Sequence, residues 1–269
     1  MTDEDEFLGR ASAEPDQVIA YGEDPEQVMD LWIGARTLDT AGTDSYEGVP
    51  EEPPGRAGRP VVVLLHGGFW RGAYDRTHLR PTAGALRDLG WMVVVPEYRR
   101  RPGSPDVTTG DVTLALRHIN DGALDGAGIA ERGFVVVGHS AGGHLALWAL
   151  MHLNLDHRVG TLTLAAVADL RRAHLGDLGG GAVAAFVGGD PESRPDLDPA
   201  RATPRPDGGL TLVHGVSDLV VPIGVNEDFV RTATTARLVA LPHVGHFDLV
   251  DPLSEAWPDI VSEIERFAR

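Results

Sequence analysis

The chain has 269 residues, of which 42% are hydrophobic and 23% charged, a composition typical of a globular protein and not of a disordered chain. Forty acidic residues against 23 basic ones give a formal charge of -17, which argues against binding to nucleic acid or to an anionic membrane. Because there is no cysteine, disulfides, thiolate catalysis and cysteine-ligated metals are excluded.

Short β-branched runs alternate with helix-like segments along the chain, and this alternation predicts an α/β fold with a mainly parallel central sheet and helices on both faces. The predicted strands are 28–33, 61–65, 92–96, 134–137, 162–166, 210–214 and 237–241. The predicted helices are 77–89, 109–120, 141–152, 225–232 and 252–268.

Three segments fall outside this alternation. Residues 1–15 are acidic and are expected to be flexible, and residues 39–59 are rich in Gly, Pro and charge, as surface loops are. Residues 168–209 are too long for a simple connection and are predicted to form an inserted cap on a single domain over 16–269. With no signal peptide and no apolar run of ~20 residues, we expect a cytoplasmic protein without a membrane partner.

The sequence FVVVGHSAGGHLALWAL carries a serine between a predicted strand and a predicted helix. Gly138 and Gly142 flank Ser140 in the pattern G-x-S-x-G, which is typical of a nucleophile at a sharp strand-to-helix turn. A helix-capping serine is the alternative interpretation. The turn also places the backbone N–H of Ala141 at a helix N-terminus, where a developing oxyanion is stabilised.

A serine nucleophile needs a base and an orienting carboxylate, which follow this turn in the order Ser, Asp or Glu, His. Asp218 and His246 each follow a predicted strand, so both are expected at the edge of the sheet where Ser140 lies. His243 and Asp248 are the competing base and carboxylate. Asp218 could also cap the helix after it.

His66-Gly67-Gly68 follows the strand 61–65, at the position where HGGG-type motifs contribute oxyanion donors. Gly67 and Gly68 are the predicted donors beside Ala141, and a structural turn is the alternative. His139 and His144 are expected to pack or to form hydrogen bonds. Because no metal-binding spacing, P-loop or G-x-G-x-x-G occurs, we expect neither a metal nor an organic cofactor.

Together these motifs resemble the α/β-hydrolase family from about Tyr21 to the end of the chain. The likeness is greatest to hormone-sensitive-lipase-like esterases and kynurenine formamidases (arylformamidases). HGGFW at 66–70, GHSAGGHLA at 138–146, HFD at 246–248 and YGEDPEQVMDLWI at 21–33 are similar to formamidase motifs. The chain departs from relatives at 98–103, where YRRRPG stands in place of Y-R-L-A-P-E.

The resemblance implies cleavage of N-formyl-L-kynurenine through a formyl-enzyme on Ser140, with Phe69 and Trp70 as the aromatic wall of a small acyl pocket. His139 is a further candidate substrate contact. A carboxylesterase for small acyl esters and a non-catalytic binding protein are the alternatives. We expect a small-molecule substrate. The arginines at 99–101 either bind a carboxylate of this substrate or lie in a solvated loop. The sequence is compatible with a monomer and with a homodimer.

Overall fold

In the computed structural model, which describes residues 7–34, 58–124, 129–202 and 209–268, one eight-stranded sheet runs through the chain. Its strands are β1 (Gln17–Ala20), β2 (Val28–Trp32), β3 (Val61–Leu65), β4 (Val93–Pro96), β5 (Phe134–His139), β6 (Arg158–Leu164), β7 (Leu210–Gly215) and β8 (Ala236–Leu241). They lie in the order β1-β2-β4-β3-β5-β6-β7-β8. Strands β3 to β8 are parallel, whereas β2 is antiparallel to β4 and β1 is antiparallel to β2.

Helices cover both faces of this sheet, as the sequence predicts. The described helices are α1 (Arg80–Asp88), α2 (Pro105–Asn120), α3 (Ile129–Arg132), α4 (Ala141–His152), α5 (Leu170–Leu175), α6 (Ala182–Val187), α7 (Gly224–Thr232) and α8 (Trp257–Glu265). Side chains of β3 alternate between two hydrophobic clusters: Val61 and Val63 pack with α2 and α4, while Val62 and Leu64 pack with α1 and α8. All five residues of β3 are buried, which explains its continuous apolar sequence.

Several elements and boundaries differ from those predicted. Strand β1 was not expected, because it is a largely exposed edge strand without a continuous apolar run. Strand β6 begins at Arg158, before the apolar run. Helix α2 begins at Pro105, a residue suited to the first helical turn, and α8 begins only at Trp257, after a series of turns. The predicted loop 39–59 lies outside the described residues except for 58 and 59.

The predicted cap segment connects β6 to β7 and contacts the body of the protein. Its described part, residues 168–202, contains α5, α6 and three 3-10 turns at Pro191–Ser193, Pro195–Leu197 and Pro199–Arg201. The ring of Phe186 in α6 stacks on Trp70, with 4.6 Å between ring centroids. The carbonyl oxygen of Leu197 accepts a hydrogen bond from His144 in α4 at 2.8 Å.

Part of the stretch 1–15, for which flexibility is predicted, packs against the body of the protein from residue 7 onward. The side chain of Phe7 is buried in the cluster formed with α1 and α8, and its ring centroid lies 5.9 Å from that of Phe247. Arg10 forms an ion pair with Asp251 at 2.5 Å. Burial of one aromatic side chain outweighs the acidic composition from which flexibility was expected.

We predict that Phe7→Ala lowers the free energy of unfolding by about 2 to 4 kcal/mol, because a buried aromatic side chain is replaced by a cavity. Leu8→Ala is the control, since Leu8 is exposed and its truncation should change stability by no more than about 0.5 kcal/mol. Urea denaturation measures both. Equal stabilities of the two variants would show that the segment is not docked.

Candidate active site

Ser140 lies in a strained turn between β5 and α4. Its φ of 55° and ψ of -116° are rare for a residue with a side chain. Its N–H is anchored to the carbonyl oxygen of Leu164 at 2.8 Å. Although Ser140 occupies the N-cap position of α4, its side chain makes no capping hydrogen bond, so the turn serves another purpose than capping.

Glycines at both sides of the turn allow its backbone to pack against neighbouring backbone. A Cβ on Gly138 would overlap the carbonyl oxygen of Gly142, and a Cβ on Gly142 would overlap the carbonyl oxygens of Leu65 and His66. The N-terminus of α4 therefore lies directly against the end of β3. This contact brings the segment after β3 to the serine.

Asp218 and His246 form a hydrogen-bonded pair. His246 Nδ1 donates to Asp218 Oδ2 at 2.7 Å, and both residues are buried. The other oxygen, Oδ1, accepts from the N–H groups of Val220 and Val221, each at 2.8 Å. Burial raises the pKa of Asp218, but hydrogen bonds from His214, His246 and the backbone outweigh it, so the pKa lies below its usual range and the carboxylate is ionised at neutral pH.

The two competing residues have different surroundings. His243 is exposed and adopts a left-handed φ of 63°. Asp248 accepts a hydrogen bond from the N–H of Gly245 at 2.6 Å, which orders the loop that carries His246. The geometry thus pairs His246 with Asp218 and gives Asp248 a local structural contact.

His139, the neighbour of Ser140, joins the strand of the serine to the loop of His246. Its Nε2 donates to the carbonyl oxygen of His246 at 3.1 Å, and the two ring centroids are 4.6 Å apart. Burial and the neighbouring His246 lower the pKa of His139 well below its usual value, so its ring is neutral. His139 is therefore placed to position His246, and a direct substrate contact remains a prediction.

The segment after β3 supplies the predicted oxyanion donors. A Cβ on Gly67 would lie 3.1 Å from the Cβ of Ser140, so the backbone at Gly67 packs against the turn. Among the hydrogen bonds of the described residues, none has the N–H of Gly67, Gly68 or Ala141 as donor. These three N–H groups make no hydrogen bond within the described residues, and their role as oxyanion donors stays a prediction.

A buried polar cluster, which no sequence motif indicates, supports this segment from behind. Glu97 follows β4 and contacts His66 Nε2 at 3.1 Å and the guanidinium of Arg100. His66 Nδ1 donates to the carbonyl oxygen of Gly67 at 2.9 Å, and the ring of His66 stacks on Tyr98. Burial raises the pKa of Glu97, yet contacts with His66 and Arg100 bring it below its usual range. The only sequence signal was a glutamate directly after an apolar strand.

The three consecutive arginines at 99–101 are neither a carboxylate site nor uniformly solvated. Each forms ion pairs with acids of this chain, and Arg100 is buried. Arg99 pairs with Asp111 and Asp24, Arg100 with Glu97, and Arg101 with Glu26. The unusual YRRRPG sequence therefore serves mainly to bind structural carboxylates, including the one behind the oxyanion segment.

Phe69 and Trp70 lie between the oxyanion segment and the cap. Both have left-handed φ values, of 50° and 55°, and follow Gly68 with φ of 103°. Trp70 is buried, with its ring stacked on Phe186 and edge-on to His144, while Phe69 lies against the backbone of Gly179. The structure thus gives both aromatics a role in holding the cap, and their predicted role as an acyl-pocket wall remains a prediction.

Within the described ranges, no group of three histidine or acidic side chains is arranged to hold a metal ion. In the same ranges, no helix is both long and apolar enough to cross a membrane.

Comparisons with known proteins agree with this architecture. A family model described as BD-FAE matches residues 50–170, which include the oxyanion segment and Ser140. Esterase LipC of Mycobacterium tuberculosis is 26% identical over 265 residues, covering 87% of this chain and 60% of LipC. The chain therefore spans about three fifths of the length of that relative.

Solved structures show the fold. Native esterase 2 of Thermogutta terrifontis has a TM-score of 0.70 at 18% identity, covering 97% of this chain and 95% of that one. Esterase B of Lactobacillus rhamnosis has a TM-score of 0.70 at 19% identity, covering 98% and 90%. The chain has the α/β-hydrolase fold, and this prediction from the sequence is confirmed.

We predict that Gly142→Ala prevents correct folding or lowers the free energy of unfolding by more than about 4 kcal/mol, because the new Cβ overlaps backbone oxygens that cannot move aside. Gly110→Ala is the matched control. Gly110 is exposed in α2 with open space around its Cα, so alanine should stabilise the helix by about 0.5 to 1 kcal/mol. Yield of soluble protein and urea denaturation distinguish the two, and a stable Gly142→Ala would contradict the close contact.

A second prediction concerns His144, whose pKa burial lowers to about 4. Below pH 6.5 the unfolded chain binds a proton at this histidine that the folded chain does not, so the stability of the protein falls as the pH drops from 6.5 towards 4. The full contribution is about 3 kcal/mol, from about 1.4 kcal/mol for each pH unit. The variant His144→Gln removes this pH-dependent loss of stability, and the glutamine amide can still donate to the carbonyl oxygen of Leu197.

The stability difference between wild type and His144→Gln should therefore shrink as the pH falls from 7.5 to 5. Leu147→Ala in the same helix removes no titrating group, so its difference from wild type should stay constant. Urea denaturation at several pH values gives both differences. Parallel curves for wild type and His144→Gln would contradict the neutral, buried state of His144.

Proposed function

We propose that the chain is a serine hydrolase that cleaves small carboxylic esters through an acyl-enzyme intermediate on Ser140. The observation that carries the proposal is the buried Asp218–His246 hydrogen bond of 2.7 Å at the sheet edge where the strained turn presents Ser140. The esterases among the relatives and similar structures support the same reaction class. Because the chain spans three fifths of LipC, the activity is inferred for this chain and not transferred from that protein.

In the first step, Ser140 attacks the carbonyl carbon of the ester and His246 accepts the hydroxyl proton. His246 must present a free Nε2 to do so. Asp218 ensures this, because an ionised carboxylate that accepts from Nδ1 fixes the tautomer and then stabilises the imidazolium. The low pKa of Asp218 keeps it ionised throughout the cycle.

Negative charge develops on the carbonyl oxygen as the tetrahedral intermediate forms. The N–H groups of Gly67, Gly68 and Ala141 have no other acceptor among the described residues, so they can donate to this oxygen. Loss of one such donor typically costs about 3 to 4 kcal/mol of barrier. The cluster around Glu97 keeps the Gly67 carbonyl turned towards His66 and thereby holds the segment in one conformation.

Collapse of the intermediate expels the alcohol, which takes the proton from His246. Water then attacks the acyl-enzyme by the same route, with His246 as base, and releases the acid and free Ser140. Ser140 and His246 are only 2% and 6% exposed. A covered nucleophile favours esters with a short acyl chain.

A second candidate is the aryl formamide hydrolysis predicted from the sequence, with N-formyl-L-kynurenine as substrate. The HGGFW segment at 66–70 and the small exposure of Ser140 favour it, since formyl is the smallest acyl group. The same residues would act in the same roles, with an arylamine as leaving group. The comparisons favour the ester reaction, which is why we place it first.

We predict that kcat/KM for p-nitrophenyl acetate exceeds that for N-formyl-L-kynurenine, and that Ser140→Ala reduces both by at least about 1,000-fold. Asp218→Asn should reduce kcat by up to about 10,000-fold, because its amide can donate to His246 and favours the wrong tautomer. Steady-state kinetics of the three proteins with both substrates measure this.

Each outcome identifies one function. If kcat/KM for N-formyl-L-kynurenine exceeded that for p-nitrophenyl acetate by orders of magnitude, arylformamidase activity would replace the proposed esterase activity. Failure of a fluorophosphonate to label Ser140 in the folded wild type would contradict both and leave a binding protein with a hydrolase fold. Labelling of wild type but not of Ser140→Ala is the result that we expect.

A further inference from the structure

A second histidine touches the Asp218 carboxylate, and the mechanism above does not use it. His214 is the fifth residue of β7, and its side chain is completely buried. Its Nε2 lies 3.4 Å from Asp218 Oδ2 and 2.8 Å from the carbonyl oxygen of Val221. The ring therefore lies beneath the loop that carries the carboxylate.

The contacts of His214 determine which nitrogen carries its proton. Asn226 Nδ2 donates to the carbonyl oxygen of Ala166 at 3.1 Å and also contacts His214 Nδ1. An amide nitrogen offers hydrogens and no lone pair, so His214 Nδ1 is the acceptor. The proton must then lie on Nε2, between the two oxygens of Val221 and Asp218.

We propose that His214 is a positioning residue for the reaction: it donates its Nε2–H to the Val221 carbonyl oxygen and thereby holds its Nε2 3.4 Å from Asp218 Oδ2, the oxygen that accepts from His246. The inference rests on the proposed function, in which Asp218 orients the base. His246 Nδ1 approaches Oδ2 at 2.7 Å, so His246 makes the shorter contact and His214 the longer one. By also binding the Val221 carbonyl, His214 fixes both ends of the loop from Asp218 to Val221.

The Nε2–H group of His214 lies close to the oxygen that would stabilise the His246 imidazolium, and its positive end partly offsets the charge on that oxygen. In a variant without this group, we expect the carboxylate to hold a proton on His246 more strongly. The other titratable groups near the pair are His139 from β5, with its ring 4.6 Å from His246, and Asp248, which accepts from Gly245.

The test compares His214→Leu, which has no donor, with His214→Gln, whose amide can still donate to Asp218 and Val221. Leu212→Ala is the control, because it removes a buried side chain of the same strand from the core. For each protein we would measure kcat/KM for p-nitrophenyl acetate from pH 4.5 to 9 and the unfolding temperature.

In His214→Leu we expect kcat/KM to fall about 10-fold to 100-fold and the acidic limb of the profile to move up by about half to one pH unit. His214→Gln should keep the wild-type limb and most of the activity. Leu212→Ala should lower the unfolding temperature without moving the limb. An unmoved or downward-shifted limb in His214→Leu, or an equal shift in Leu212→Ala, would overturn the proposal.

An absence of ester hydrolysis in the wild type would count against the proposed function and not against this inference. The downfield proton NMR resonance of His246 Nδ1–H, which needs no substrate, then provides the test. Its titration midpoint should move to higher pH in His214→Leu and stay in place in His214→Gln. Identical titrations of all three proteins would refute the role of His214.

Discussion

The contact between the first turn of α4 and the end of β3 is the constraint on which the active site depends. It exists because Gly142 lacks a side chain where the carbonyl oxygens of Leu65 and His66 approach. The same contact holds Ser140 in its strained conformation and brings Gly67 against the turn. The proposed nucleophile and the predicted oxyanion segment are thus parts of one packed unit, and neither can be repositioned without the other.

Around this unit, two buried carboxylates accept several hydrogen bonds each. Asp218 and Glu97 both remain ionised although burial opposes it, since histidine and backbone donors contact Asp218, and histidine, arginine and backbone donors contact Glu97. His139 and His144 are instead neutral, because burial lowers the pKa of both. In the proposed mechanism, one carboxylate orients the base and the other supports the oxyanion segment. A low-dielectric site strengthens the electrostatic effects on which the proposed ester cleavage relies.

Local sequence predicted those features that depend on neighbours in the chain. The continuous apolar runs identified β3 and β5 because buried parallel strands are apolar on both faces. Strand β1 and the docked Phe7 escaped prediction because an edge strand and a single buried ring leave no periodic pattern. The cluster of Glu97 and Arg100 was not predicted either, because residues that make a buried ion pair favourable come from distant segments of the chain.

By itself, the sequence determined the alternation of strands and helices, the strained turn at Ser140 and the chain order of serine, aspartate and histidine, because each follows from short-range spacing. Only the tertiary structure decided that His246 and not His243 bonds to Asp218, that Trp70 packs under the cap, and that His214 also contacts the carboxylate. These choices depend on distances between residues far apart in the chain. Such distances are determined by packing against the sheet, which spacing along the sequence does not encode.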